Sequence, residues 1–325
     1  MLAEMEITPV HWVVFIIVVV LLLSLDLGIF HRHAHVVRFK EALAWTGVWF
    51  VLSMLFGGVL WRFLGEDEAI EFVTGYIIEL SLSMDNVFVI ALIFAYFRVP
   101  LEYQHRVLFW GILGAFLMRG AMIGLGAALI RRFDWMLYLL GAFLVFTGIK
   151  MIFVGDNAPD PERNIFIRLA RKFFPVVSEF KGQRFFTKLN ERAALTPLAL
   201  VLLMVETTDL VFAVDSIPAI FAVTQNPFIV FTSNVCAILG LRSLYFVLAG
   251  AIGYFRYLKV GLSLVLSFIG AKMLIGIWNL HITTPMSLAI VAAIILTSIV
   301  FSVIAGRHEA ARKGSGEKNL DADSP

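Results

Sequence analysis

The sequence predicts an all-α polytopic membrane protein of about nine transmembrane helices, and three observations carry that prediction. Of 325 residues, 60% are apolar and only 15% charged, whereas a soluble domain is about 45–50% apolar and about 25% charged. The mean hydropathy is +0.89. The apolar residues also fall in runs long enough to cross about 30 Å of hydrocarbon at about 1.5 Å per residue. A surface this poor in charge must face lipid, which excludes a soluble enzyme, a disordered chain and a nucleic-acid binder. The net charge of +2 implies no global electrostatic partner. A single cysteine, Cys236, excludes an internal disulfide framework and a cysteine-based metal cluster.

Breaking the runs at charges, glycines and prolines places spans at about 10–30, 42–64, 70–97, 105–130, 135–155, 196–224, 228–254, 258–280 and 285–305. The first is expected to be a retained helix rather than a signal peptide. Glu4 and Glu6 stand where a basic n-region belongs, and no small-residue cleavage site follows. The spans group into two N-terminal helices (1–69), a three-helix unit (70–155), a polar linker (156–195), a second three-helix unit (196–280), a C-terminal helix (281–305) and a solvated, unstructured tail (306–325). Nineteen of the 26 Lys and Arg fall in the tail and in the loops after odd-numbered spans, against three on the other side. The positive-inside rule then expects the linker and C-terminus in the cytoplasm and the N-terminus outside.

Ten ionisable residues interrupt these spans: Asp26, Glu79, Asp85, Glu206, Asp209 and Asp215, with Arg119, Lys150, Arg242 and Lys272. Each costs roughly 2.5–3.5 kcal/mol at mid-helix on insertion scales unless pairing, water or a bound ion offsets it. The plain structural alternative is that they pair across helices and lock the bundle. For the cations that reading is natural, because buried carboxylates need counter-charges. The acids outnumber the bases and crowd into two short segments, which leaves room for a cation.

Those segments also repeat. SMDNVFVI around Asp85 matches TTDLVFAV around Asp209, GILGAFLMRG with Arg119 matches AILGLRS with Arg242, and TGIKMI with Lys150 matches IGAKML with Lys272. Three spans per unit is an odd number, so the second unit would enter the membrane from the opposite side. An inverted 3+3 repeat of spans 3–5 and 6–8 is therefore expected, a device by which secondary transporters build alternating access. A second register pairs Glu79 and Asp85-Asn86 with Asp209 and Asp215-Ser216. Both registers bring acids to mid-span. At about 100° per residue Glu79, Ser83 and Asn86 share a helix face, with Asp85 about 120° away. Pro218 cannot donate to the carbonyl of Val214, which suggests an unwound segment beside Asp215.

The candidate ligands are the carboxylates, the Asn86 amide, backbone carbonyls and the hydroxyls of Ser81, Ser83, Thr207, Thr208 and Ser216. No His or Cys accompanies them within either segment. An all-oxygen set suits Mg²⁺, Ca²⁺ or Mn²⁺ rather than Zn²⁺ or Cu⁺. Met84 and Met204 lie nearby, as apolar packing or as thioethers that would tilt the choice toward Mn²⁺. The His31, His33 and His35 run reads as a solvated interfacial stretch. The basic, aromatic linker (RLARKFF, GQRFFTKL) reads as docking against anionic lipid rather than nucleic acid.

The stretches DLGIFHRHAHVVRFKEAL, EFVTGYIIELSLSMDNVFVIALIF, YQHRVLFWGILGAFLMRG and VETTDLVFAVDSIPAIFAVTQNPFIVFTSNVCAILGLRSLYF together resemble the TerC family, in its Alx-type branch. The likeness runs from about Asp26 to Lys272. It implies a nine-span inner-membrane protein of the LysE-like transporter group that exports manganese. The essential acids of that family would fall here on Glu79, Asp85, Glu206, Asp209 and Asp215.

The expectation is thus a secondary transporter that exports Mn²⁺ from the cytoplasm through a midplane carboxylate site, with protons as a candidate exchange partner and no permanently bound cofactor. Asp85 and Asp215 would be the principal ligands, beside Asn86 and Ser216. Glu79, Asp209 and Glu206 would be co-ligands or proton carriers. Arg119, Arg242, Lys150 and Lys272 would neutralise the empty site. Two alternatives stay open: export of Ca²⁺ or a broader divalent set, and a non-transporting membrane scaffold in metal or tellurite stress. No nucleophile–base pair points to an enzyme.

Overall fold

The computed structural model describes residues 7–25, 39–133, 135–153, 161–162, 164–189, 192–249, 258–276 and 282–322. Asp26 and the His31, His33 and His35 run lie outside the described residues. Eleven helices and one hairpin follow in order: α1 (Pro9–Leu25), α2 (Phe39–Phe63), α3 (Glu66–Tyr96), α4 (Leu101–Arg132), α5 (Met136–Phe153), α6 (Ile165–Phe173), β1 (Phe186–Leu189), β2 (Arg192–Leu195), α7 (Pro197–Phe221), α8 (Pro227–Leu239), α9 (Leu241–Ala249), α10 (Leu258–Ile275) and α11 (Thr284–Ala322).

The expected count of nine spans does not stand. Among the described residues six helices are long and apolar enough to cross a membrane: α2, α3, α4, α5, α7 and the Thr284–Ser302 part of α11. A seventh arises if α8 and α9, bent by 44° at their break, form one span. The described part of the apolar helix α1 has 17 residues, and the remainder of the expected span at about 10–30 lies outside the described residues. The expected inverted repeat does not stand either; the described helices do not form two matching three-helix units. α4 is one unbroken helix of 32 residues, whereas its sequence counterpart is the short, bent pair of 13 and 9 residues, α8 and α9. Matching motifs therefore sit on differently built elements. The linker is also more ordered than a polar tether, holding α6 and the β1–β2 hairpin, whose register pairs Phe186 with Leu195 and Leu189 with Arg192. Helix α11 continues to Ala322, through the segment read as unstructured tail.

Local chemistry explains the tight connections. Gly65 takes a φ of 133°, which lets α2 turn into α3 within two residues. At the end of α3, Val99 N donates to Phe94 O (2.9 Å) and Arg98 N to Ala95 O (3.1 Å). That is a Schellman closure, with Arg98 in the left-handed region at φ 52° and Pro100 barring further helix. Thr196 caps α7 by accepting from Ala199 N, and Pro197 takes the first helical position.

α3 is the central helix, touching α2, α7, α8, α9, α10 and α11. Apolar packing forms two main bodies. One gathers Phe72 and Tyr76 of α3, Ile123 and Ala127 of α4, and Ala213, Ile217 and Ile220 of α7, together with much of α8. The other gathers Val87, Ile90 and Ile93 of α3, Val107 and Leu108 of α4, and Leu198, Val201 and Val205 of α7, together with α9 and Ile167. On each of the three helices a polar residue stands between the two bodies.

α5 and α10 pack backbone to backbone. A Cβ on Gly148 would lie 2.7 Å from Ser263 O and 2.9 Å from Ser267 N, and one on Gly270 would lie 2.6 Å from Gly141 O. Small residues are what allow such closeness between helices in lipid. Gly148→Val must therefore push the helices apart. The expected outcome is a lower thermal midpoint of the purified protein, equivalent to about 1–3 kcal/mol or more. An unchanged midpoint would show that α5 and α10 do not meet at this point.

Candidate functional site

Glu79 of α3, Arg119 of α4 and Asp209 of α7 converge between the two apolar bodies. Glu79 lies 13 residues into α3, Arg119 18 residues into α4 and Asp209 12 residues into α7, so each is near the middle of a long helix. All three are buried: Glu79 is 0% exposed, Arg119 1% and Asp209 8%. Arg119 forks onto Asp209, with Nη2 donating to Oδ1 at 3.0 Å and Nε to Oδ2 at 3.4 Å. Its Nη1 donates to Glu79 Oε1 in a direct ion pair. The same Nη1 reaches Asn234 Oδ1 of α8 at 3.3 Å and Ser216 Oγ of α7 at 3.4 Å. Asn234 Nδ2 donates in turn to Glu79 Oε2 at 3.1 Å, and Ser83 Oγ to Glu79 Oε1 at 3.4 Å.

Arginine suits this position because its planar guanidinium keeps its charge and presents donors in a fixed fork. Both carboxylates are directly paired, and surrounding amide and hydroxyl groups satisfy further lone pairs. A buried ion group tolerates loss of a partner poorly, since what remains is an uncompensated charge. One helix turn beyond Ser83, Asn86 is 3% exposed, and its Oδ1 accepts no hydrogen bond among the described residues. Glu79, Ser83 and Asn86 thus form a polar line along one face of α3, as their spacing requires.

The other sequence candidates lie outside this hydrogen-bonded group, although Glu206 is close enough to feel the Asp209 charge. Asp85 is half-buried on α3. Because α3 runs unbroken from Glu66 to Tyr96, Asp85 stays on a different face from Glu79. Asp215, half-buried on α7, bonds the Thr147 hydroxyl of α5 and lies within range of the Lys150 charge. Glu206 rests its carboxylate against Gly114 of α4. Arg242 is buried on α9. The charge of Lys272 acts on Glu71, whose side chain bonds Thr224. Among the described residues no three of His, Cys, Asp and Glu form a group that could hold a metal ion. α7 remains helical through Pro218 to Phe221, so the expected unwinding beside Asp215 is not formed.

Several hydroxyls are committed elsewhere. Ser81 donates to Ile77 O, Thr207 and Thr208 both donate to Met204 O, and Thr207 Oγ1 also accepts from Asn164 Nδ2 at 2.8 Å. Cys236 packs in the apolar body around α8. Sequence reasoning missed Asn234 and Glu71. Asn234 was hidden in the uniformly apolar run PFIVFTSNVCAIL, where only its being an amide at mid-span could have drawn notice. Glu71 follows the acidic first turn of α3 and reads there as an interfacial charge.

A multi-pass all-α membrane protein with a buried arginine–carboxylate cluster at mid-depth is the class that fold and site define. The chain belongs to the Integral membrane protein TerC family, whose model matches residues 64–313. It is similar to an uncharacterized membrane protein of Myxococcus xanthus, 50% identical over 98% of this chain and 97% of that one. It is 45% identical to Alx of Escherichia coli K12, named for membrane-bound redox modulation, over 94% of this chain and 98% of that one. A Rickettsia bellii membrane protein is 40% identical over 90% and 97% respectively. No solved structure matches the chain.

Arg119→Met should destabilise the purified protein by about 3–5 kcal/mol, because two carboxylates lose their shared cation. Adding Glu79→Gln and Asp209→Asn should restore most of that loss. Denaturation of the single, double and triple variants measures the coupling, and additive effects would contradict a shared cluster.

Proposed function

We propose that the protein is a secondary transporter exporting a divalent cation, with Mn²⁺ as its substrate, across the inner membrane. The observation that carries this reading is the placement of Arg119 between Glu79 and Asp209. Two carboxylates, an amide and two hydroxyls converge in a buried, mid-helix setting, and the position between the acids is filled by a cation that the chain itself supplies. A hard divalent ion with the same oxygen partners is the natural competitor for that position. Soluble folds have little reason to bury such a group, and in lipid it is costly enough that a role in ion passage is the default expectation.

In this reading Arg119 holds the site closed in the absence of substrate. Mn²⁺ draws Glu79 and Asp209 away from the guanidinium, which then turns toward Asn234 and Ser216. Ser83 and Asn86 extend the oxygen-bearing face of α3 along the path. Asp85, Asp215 and Glu206 act as further ligands or proton carriers on either side, with Lys150, Lys272 and Arg242 as counter-charges. Exchange of metal for protons balances in charge when two of these carboxylates each take up one proton as the ion leaves. The choice of Mn²⁺ over Ca²⁺ rests on the family resemblance, since both ions suit oxygen donors. A transporter that sets the level of a redox-active ion also agrees with the redox role in the name of the Alx relatives.

The test is Mn²⁺ flux in proteoliposomes holding the purified full chain, with and without a pH gradient. Glu79→Gln and Asp209→Asn are each expected to lower flux by about tenfold or more, in line with the loss of a site carboxylate. Asp85→Asn and Asp215→Asn are expected to lower it as well. Wild-type flux in both the Glu79 and Asp209 variants would overturn the site, and Ca²⁺ moving faster than Mn²⁺ would overturn the substrate.

A further inference from the structure

The linker segment builds a groove that the transport reading touches only at Glu206. α6 lies against α7, pinned by Asn164. Its Oδ1 accepts from Phe166 N and Ile167 N as the helix cap, while its Nδ2 donates to Thr207 Oγ1 of α7. Ile167 is fully buried by this docking. Beside it runs an apolar cavity of about 630 Å³, between Phe166, Leu169 and Phe173 of α6, Leu202 and Leu203 of α7, and Trp110 of α4. Glu206 also lines it. On α7 the lining runs from Ala199 to Glu206, roughly 10 Å at about 1.5 Å per residue. Its depth and apolar walls match a hydrocarbon chain entering from one face of the bilayer.

The outward face of α6, beside the groove, carries the opposite chemistry. Arg168, Arg171 and Lys172 are exposed on α6, which has no acid in its nine residues. Over 165–195 seven basic residues face two acidic ones. Exposed aromatics continue the apolar wall outward, with Phe173 69% exposed and Phe186 64%. A helix with aromatics on one side and arginines on the other lies in the plane of the lipid headgroups. Basic residues at that level attract anionic lipid at about 1 kcal/mol each.

We infer that this groove is a binding site for one anionic phospholipid, with an acyl chain between α6 and α7 and its phosphate on Arg168, Arg171 and Lys172. The bound chain completes the apolar surface around Glu206 and holds α6 against the bundle. The site takes a lipid from the leaflet that α6 faces, and it stands whether or not the protein carries Mn²⁺.

Native mass spectrometry of the detergent-purified full chain, titrated with dioleoyl phosphatidylglycerol and separately with dioleoyl phosphatidylcholine, tests this. The wild type should retain one phosphatidylglycerol about tenfold more tightly, or better, than phosphatidylcholine. The variant carrying Arg168→Gln, Arg171→Gln and Lys172→Gln, all at exposed positions, should lose that preference. Ala170→Trp, which fills the groove, should lose the retained lipid itself. Equal retention of the two lipids by the wild type would overturn the proposal. So would undiminished phosphatidylglycerol binding in the triple-Gln variant, or a second copy of the chain held in place of lipid.

Discussion

A guanidinium enclosed by two carboxylates, in the middle of three long helices, is the interaction on which the rest of this molecule depends. Glu79, Arg119 and Asp209 come from α3, α4 and α7, and Asn234 adds α8 to the same group. None of these helices could bury its polar residue alone in lipid, because an unpaired ion there has neither water nor protein to replace its hydration. The cluster therefore sets the relative depth of the four helices. A shift of one turn, about 5.4 Å, would separate all of its partners.

The apolar packing is arranged around that layer. Each of α3, α4 and α7 contributes to one core on one side of its polar residue and to a second core on the other. Between them lies a thin stratum where attraction is electrostatic and conditional on charge. Close apolar packing resists gradual deformation, whereas an ion cluster can exchange one cation for another. A bundle divided in this way has its natural plane of rearrangement at the charged layer. The α5–α10 pair is meshed instead by backbone, with Gly141, Gly148 and Gly270 in near contact across it.

Much of this was legible in the sequence. Composition identified lipid as the solvent, and the cost of intramembrane charge singled out Glu79, Arg119 and Asp209, which the fold does bring together, with Ser216 entering as a candidate hydroxyl ligand. The shared face of Glu79, Ser83 and Asn86 followed from helical periodicity alone. The span count failed because hydropathy registers apolar runs without knowing where a helix ends or bends. α8 and α9 divide at Gly240 and are bent by 44° there. The inverted repeat failed for a related reason, since similar local motifs do not require similar elements. Asp85 and Asp215 shared a pattern with the cluster residues, but side-chain direction on an unbroken helix carries them elsewhere. Asn234 was missed because an amide in an apolar run shows its value only once a partner from a segment 155 residues away is beside it.

The central claim is that Mn²⁺ and Arg119 compete for the same pair of carboxylates. Its most direct test is the equilibrium affinity of the purified full chain for Mn²⁺, compared between the wild type, Arg119→Gln and the Glu79→Gln, Asp209→Asn double variant. Competition predicts that removing the internal cation tightens Mn²⁺ binding by about tenfold or more, and that removing both acids abolishes it. Equal affinity in all three proteins would contradict the account, leaving the buried cluster as a structural lock and the ion site elsewhere.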